Sequence, residues 1–240
     1  MKKTIFIILL SFNSLFAQED FFIKGNELYA NQDYNNALIY YDSILEMGIE
    51  NWKIYYNLGN CHYKQNNIAN AIWHYEKSLK YKKNKKTQYN LDLAKLKTVD
   101  KITILPQLFY EKWWHSIIEL FNTKTWQITT LILIWLLIIY KSIDIYFYKL
   151  NKLILNTILF LSVLCCLVSF SSYKKTIKKE GIIFSSSITV YSAPTEKSTN
   201  LFSIHEGLKV QKNDQIGDWI NIKLENGNSG WIKENNYKSL

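Results

Sequence analysis

Side chains able to act as acids, nucleophiles or metal ligands are few in this chain and scattered. The four histidines, His62, His74, His115 and His205, fall in separate segments. Cys61 lies in a helical pattern, and Cys165 and Cys166 sit inside an apolar run, at no spacing that suits a zinc knuckle or a redox pair. All three are expected as buried small hydrophobes. The sequence holds no HExxH motif, no phosphate-binding glycine loop and no nucleophile elbow. These residues predict a chain that is not an enzyme, with no catalytic group, no metal and no cofactor. The chemistry left is that of recognition. Asn26, Tyr29, Lys53, Tyr56, Asn60 and Tyr63 offer amide, phenol and ammonium groups in the first half, and Tyr191, Trp219 and Trp231 offer an aromatic surface near the C-terminus.

The first group belongs to a repeat. Gly25-Asn26 recurs 34 residues on as Gly59-Asn60, and Asn36-Ala37 and Tyr41 recur at that offset as Asn70-Ala71 and Tyr75. Gly25, Gly59, Ala37 and Ala71 are small enough for paired helices to approach closely, and Tyr41 and Tyr75 fill the gap between neighbouring pairs. Tyr55, Leu58, Gly59 and His62 fall on one helix face. Asn31-Gln32-Asp33 and Asn66-Asn67 mark the turns. A partial third unit from about Lys86, with Tyr89, Asp92, Leu93 and Leu96, reads as a terminal covering helix. Residues 18–99 thus resemble a tetratricopeptide repeat domain, an α-solenoid. The resemblance implies a groove lined by Asn26, Tyr29, Lys53, Tyr56, Asn60 and Tyr63. In that family an Asn at the place of Asn26 and Asn60 bonds the backbone of an extended ligand; on the other reading both are ordinary helix-surface residues. Phe22 and Tyr56 stand where a carboxylate clamp would have Lys, so recognition of a C-terminal carboxylate is not expected.

Two apolar stretches follow. The 16 residues between Lys124 and Lys141 and the 21 between Lys152 and Lys174 carry no charge. The second spans a hydrocarbon core of roughly 30 Å as a helix, and the first does so if extended toward Ile145. Trp126, Tyr140 and Tyr173 lie near the ends, where aromatic belts form. We read transmembrane helices over 123–145 and 153–173, joined by a short cytoplasmic loop at 146–152. Phe109, Trp113, Ile117, Leu120 and Phe121 recur at helical spacing after Pro106, so 100–122 reads as a juxtamembrane amphipathic helix, lying on the membrane or capping the repeats. Lys2, Lys3 and the apolar run Ile5–Leu10 read as a signal peptide over 1–17. Export followed by two crossings predicts an inner-membrane protein with both flanking domains on the periplasmic side. The lysines around the spans do not decide the orientation.

After a linker at 174–180, residues 181–240 turn to short alternating runs: Ile188–Tyr191, Leu208–Val210, Trp219–Leu224 and Gly230–Ile232 read as strands. Asn226-Gly227 predicts a hairpin with positive φ at both residues. Ala193-Pro194, His205-Glu206-Gly207, Asp218-Trp219, Gly227 and Gly230-Trp231 together resemble a bacterial SH3-type domain. That implies a small β-barrel with Tyr191, Trp219 and Trp231 as a candidate surface for cell wall or proline-containing peptide.

The net charge is +9, carried on lysines without a single Arg. Arg is the residue suited to bidentate phosphate contacts, so nucleic acid is not an expected partner; anionic headgroups are. The whole order, with Leu105-Pro106-Gln107-Leu108-Phe109, Trp113-Trp114, Asn122-Thr123 and Thr125-Trp126 before the first span, resembles the BatE family of the Bacteroides aerotolerance operon. The resemblance implies a non-enzymatic scaffold whose partners are other membrane or periplasmic proteins, among them membrane-anchored von Willebrand factor type A proteins. The alternative is a peptidoglycan tether or sensor acting through the C-terminal domain.

Overall fold

The computed structural model describes residues 19–102, 108–146 and 151–240. The signal segment, the Leu105-Pro106-Gln107 join and most of the short loop lie outside the described residues. The chain divides into two compact units. One combines residues 19–102 with Lys179–Leu240; the other, from 108 to Lys178, is inserted between those two pieces.

The first unit opens with five helices: α1 over residues 19–30, α2 Tyr34–Glu46, α3 Trp52–Lys64, α4 Ile68–Tyr81 and α5 Lys85–Leu96. The starts of the last four follow from their caps. Asp33 and Asn67 accept from the N–H groups of Asn36 and Asn70, and Asn51 and Asn84 from Lys53 and Lys86, each occupying orphan donors of a first turn. Gln32 and Asn66 take positive φ (64° and 60°) at the two turns read from the sequence. Successive helices pack on one another. A Cβ added to Gly25 would come within 2.6 Å of the Tyr41 ring, and one on Gly59 within 2.6 Å of Tyr75. The expected close approach is therefore present at both glycines, with both tyrosine rings buried against them.

The C-terminal piece forms one antiparallel sheet of seven strands: β1 Lys179–Ile183, β2 Ser187–Tyr191, β3 Asn200–His205, β4 Lys209–Ile216, β5 Trp219–Lys223, β6 Ser229–Lys233 and β7 Tyr237–Ser239. The order is β3-β2-β6-β5-β4-β1-β7, so β3 and β7 are edges and the sheet does not close. This corrects the expected barrel. The physical reason lies at the β7 edge, where the Trp73 indole N–H of α4 donates to the Ser239 carbonyl at 2.8 Å. That bond takes an edge carbonyl of β7 that pairing with a further strand would use. At the other edge Asp100 accepts the His205 N–H at 2.7 Å. The 174–180 stretch holds the last turn of the helix Lys152–Thr176 and the beginning of β1 rather than a free linker. In the β5–β6 hairpin only Gly227 takes positive φ (90°); its N–H donates to Leu224 O at 3.0 Å, and Asn226 does not join it in the left-handed region.

Helices and sheet share a core. Ile183 turns into the sheet's cluster with Val190, Ile204, Val210, Ile220, Ile222 and Ile232. Its neighbour Ile182 turns the other way, among Ala71, Ile72, Tyr75, Leu91 and Ala94 of α4 and α5. The alternation of a strand thus joins two layers through adjacent residues. Ion pairs seal the seam. Lys209 Nζ lies 2.9 Å from Glu76 and 2.9 Å from Glu180, while Lys95 reaches the other Glu76 oxygen at 3.2 Å. Burial would raise the Glu76 carboxyl, but Lys209 and Lys95 outweigh it and hold it below its ordinary value. The segments read as separate domains at 18–99 and 181–240 are parts of one unit.

The second unit comprises α6 Phe109–Ile118, α7 Thr123–Tyr146 and α8 Lys152–Thr176. Both α7 and α8 are long and apolar enough to cross a membrane. They pack as a hairpin held by small and hydroxylated residues: Thr130, Ser162 and Ser172 are buried, and Thr123 Oγ1 lies 2.8 Å from Ser172 Oγ and 2.9 Å from Thr176 Oγ1. Cys165 is half-buried and Cys166 exposed, which corrects the expectation that all three thiols are interior; only Cys61 is. A helix whose whole circumference is apolar leaves most of it outside a two-helix contact.

Candidate functional site

The six residues expected to line a groove come from α1 and α3, and the hydrogen bonds of Asn26 and Asn60 repeat. On the first helix pair, Asn26 Oδ1 accepts from the Tyr41 hydroxyl at 2.8 Å and from Asn57 Nδ2 at 2.9 Å. On the next, Asn60 Oδ1 accepts from the Tyr75 hydroxyl at 2.8 Å and from Asn90 Nδ2 at 2.9 Å. Burial pushes both phenols up, so they stay protonated donors. Each amide oxygen is therefore committed to joining one helix pair to the next. Among the described residues, no hydrogen bond uses the Nδ2 groups of Asn26 and Asn60 or the Oδ1 atoms of Asn57 and Asn90. Each junction thus keeps one amide donor, on Asn26 or Asn60, and one amide acceptor, on Asn57 or Asn90, outside its own hydrogen bonds. Asn57 and Asn90 were not singled out in the sequence. The recurring Asn is the signal, hidden because its spacing is 33 residues rather than 34.

The other groove residues differ in their surroundings. Tyr29 is half-buried with its ring 5.4 Å from that of Tyr34. Tyr56 accepts from Asn90 Nδ2 at 3.3 Å, and Tyr63 carries the Lys97 ammonium 4.3 Å over its ring. Lys53 is exposed in the first turn of α3.

Tyr191, Trp219 and Trp231 converge on a second face. Ile220, Ile222 and Ile232 take the core side of β5 and β6, so Trp219 and Trp231 fall on the opposite side, half-buried. Trp231 pairs in register with Tyr191 on one strand and Asn221 on the other. Tyr191 and Trp219 meet edge to face at 5.5 Å, and Lys233 lies 5.9 Å over Trp219.

Among the histidines, two pairings appear that the sequence did not suggest. His205 Nδ1 lies 2.9 Å from Asp100 Oδ1, pinning the start of the β3–β4 turn to the end of the helical part. His62 and His74 stack with centroids 5.1 Å apart, both with buried Nδ1 atoms lacking a partner. Burial, reinforced by Lys238, lowers His62 to about 4. Burial, His62 and the lysines Lys238 and Lys77 hold His74 well below the usual range. Both rings are neutral packing groups near pH 7. No cluster of three or more metal-ligating side chains occurs among the described residues. No protein-family model and no curated protein sequence matches the chain.

Proposed function

We propose that the chain is a membrane-anchored, non-enzymatic scaffold that binds an extended polypeptide along a tetratricopeptide-type groove. The observation that carries this reading is the recurrence at each junction of an unused amide donor, on Asn26 or Asn60, with an unused amide acceptor, on Asn57 or Asn90. An extended chain offers alternating N–H and C=O groups, and amides answer both without selecting charge. Tyr29, Tyr56 and Tyr63 add contact area with few rotors to immobilise. The hairpin of α7 and α8 holds the protein in the inner membrane. Because residues 19–102 and 179–240 share a core, they lie on one side of any bilayer crossed, which suits two spans and a periplasmic placement after export. Partners of the kind the resemblance implies, membrane-anchored von Willebrand factor type A proteins of a Bat-type complex linked to aerotolerance or stress, fit this architecture.

The test uses Asn60→Asp with Tyr63→Ala. Aspartate keeps the acceptor for Tyr75 and Asn90 but removes the outward donor. Crosslinking in intact membranes, read by mass spectrometry, should lose a defined set of envelope proteins while the melting curve stays close to wild type. Unchanged capture would sink the scaffold reading.

A second reading rests on the outward Tyr191, Trp219 and Trp231 of an SH3-like sheet. Here the chain tethers or senses peptidoglycan. Sedimentation of the detergent-solubilised chain with purified sacculi should then depend on Trp231, and an unaltered pellet for Trp231→Ala counts against it.

A further inference from the structure

The helix α6 carries a surface that neither binding face explains. Its inner side packs on the hairpin: Trp114, Ile117 and Ile118 meet Trp126 and Val168, and the Trp126 indole N–H donates to the Ile118 carbonyl at 3.2 Å. Lys175 Nζ closes on Glu119 at 2.5 Å. These contacts fall in the first turn of α7 and the last turns of α8, so α6 crosses the hairpin at the end where one long helix starts and the other stops. At ~100° per residue, Phe109 and Trp113 flank one side of the packed trio and Tyr110 falls within its arc, while His115, Glu119 and Lys112 form the opposite side, with Glu111 beside Ile118 and Ser116 beside Phe109. The flank is open: Phe109 is 85% exposed and Trp113 66% exposed. In the connection to α7, Leu120 and Phe121 are exposed as well. Lys112, Lys124, Lys174 and Lys178 stand exposed around the same end.

We propose that this flank faces lipid: α6 lies in the interfacial layer of the bilayer, with Phe109 and Trp113 at the acyl boundary and the lysine fringe among anionic headgroups. The inference rests on the reading that α7 and α8 span a membrane. Given that, the level of α6 is fixed by its contacts with the helix ends. An apolar flank continuous with two lipid-facing helices has lipid as its neighbour. An aromatic side beside a polar one is what an interfacial helix requires, and tryptophan and phenylalanine favour that depth. Lysine stems reach along the apolar surface while their ammonium groups stay in the headgroup region.

The experiment places a bimane fluorophore at W113C, at H115C on the polar side and at I132C midway along α7, in full-length chains carrying C165A and C166A. Cys61 is buried, with its thiol pushed up to about 12 by burial, so it stays unlabelled. The chains go into nanodiscs of phosphatidylethanolamine and phosphatidylglycerol bearing nitroxides at a shallow or a deep acyl position. The expected result is loss of W113C emission to the shallow nitroxide with protection from aqueous iodide, iodide quenching at H115C, and loss of I132C emission to the deep nitroxide. Iodide quenching of W113C without lipid quenching overturns the proposal. So does protection from both, which would mean protein covers the flank. Failure of I132C to meet the deep nitroxide overturns the spanning reading, and the proposal with it.

Discussion

At Gly59 a missing Cβ sets the distance between two helices, because the Tyr75 ring occupies the space a methyl group would need. Gly59→Ala should cost about 1–3 kcal/mol, since the ring is fully buried and cannot swing away; chemical unfolding followed by helical signal measures it. Tyr75→Phe removes a donor but leaves Asn90 on Asn60 Oδ1, so its cost should be nearer ~1 kcal/mol. The glycine–tyrosine contacts were legible in the sequence because both partners recur at one offset. The amide ladder was only half legible, because the α4–α5 connection is two residues shorter than the α2–α3 connection while α4 is one residue longer than α2, which shifts Asn90 one residue off the repeat. The stacked histidines carry a pH signature. His62 has a folded value of about 4, below its unfolded 6.5, so the stability it contributes is present above pH 6.5 and lost as pH falls toward about 4. His74 acts in the same direction, and Asp42, raised by burial, in the opposite one at lower pH. The unfolding midpoint of His62→Gln should therefore vary less than wild type across that window.

Among the elements, the strands that alternated cleanly were readable and the others were not. The β3 strand hides its period because Leu201 is apolar on the outward side, 47% exposed. The β1 strand hides it for a different reason: Ile182 and Ile183 are both fully buried, one in each layer. The open sheet was not legible at all, since the group covering β7 is Trp73, more than 160 residues earlier in the chain. The Glu76–Lys209 pair at the same seam invites a two-step test. Lys209→Met removes one partner of a mostly buried carboxylate and should destabilise by about 3–5 kcal/mol, and adding Glu76→Gln should recover a good part of it. Thermal melts of the single and double variants decide this. The pH sign follows: Glu76, held below its ordinary 4.5, contributes above that value and loses its contribution as acid protonates it.

For the whole molecule, the two long apolar helices were readable, but the pairing of the segments that flank them was not. Composition separates a helical segment from a β segment and says nothing about a shared interior. Expressed alone, residues 181–240 would leave Ile182 and the β7 edge uncovered; hydrogen exchange should show little protection in β1 and β7. Residues 19–102 joined to 179–240 by a flexible linker should show full protection there. Similar protection in both would mean the sheet does not depend on the helices.

The insertion of α6–α8 between the two halves of that interior has a consequence for synthesis. The ribosome finishes α4 and α5 long before it makes β1, and until then Ala71, Ile72 and Ala94 have no strand against them. The helical half must wait, incomplete, while α6, α7 and α8 are made. If the hairpin made a single crossing, the sheet would emerge on the wrong side and the interior could never close. If α7 and α8 cross a bilayer, closing this shared interior requires both to cross, and a chain that crosses once keeps Ala71, Ile72 and Ala94 uncovered.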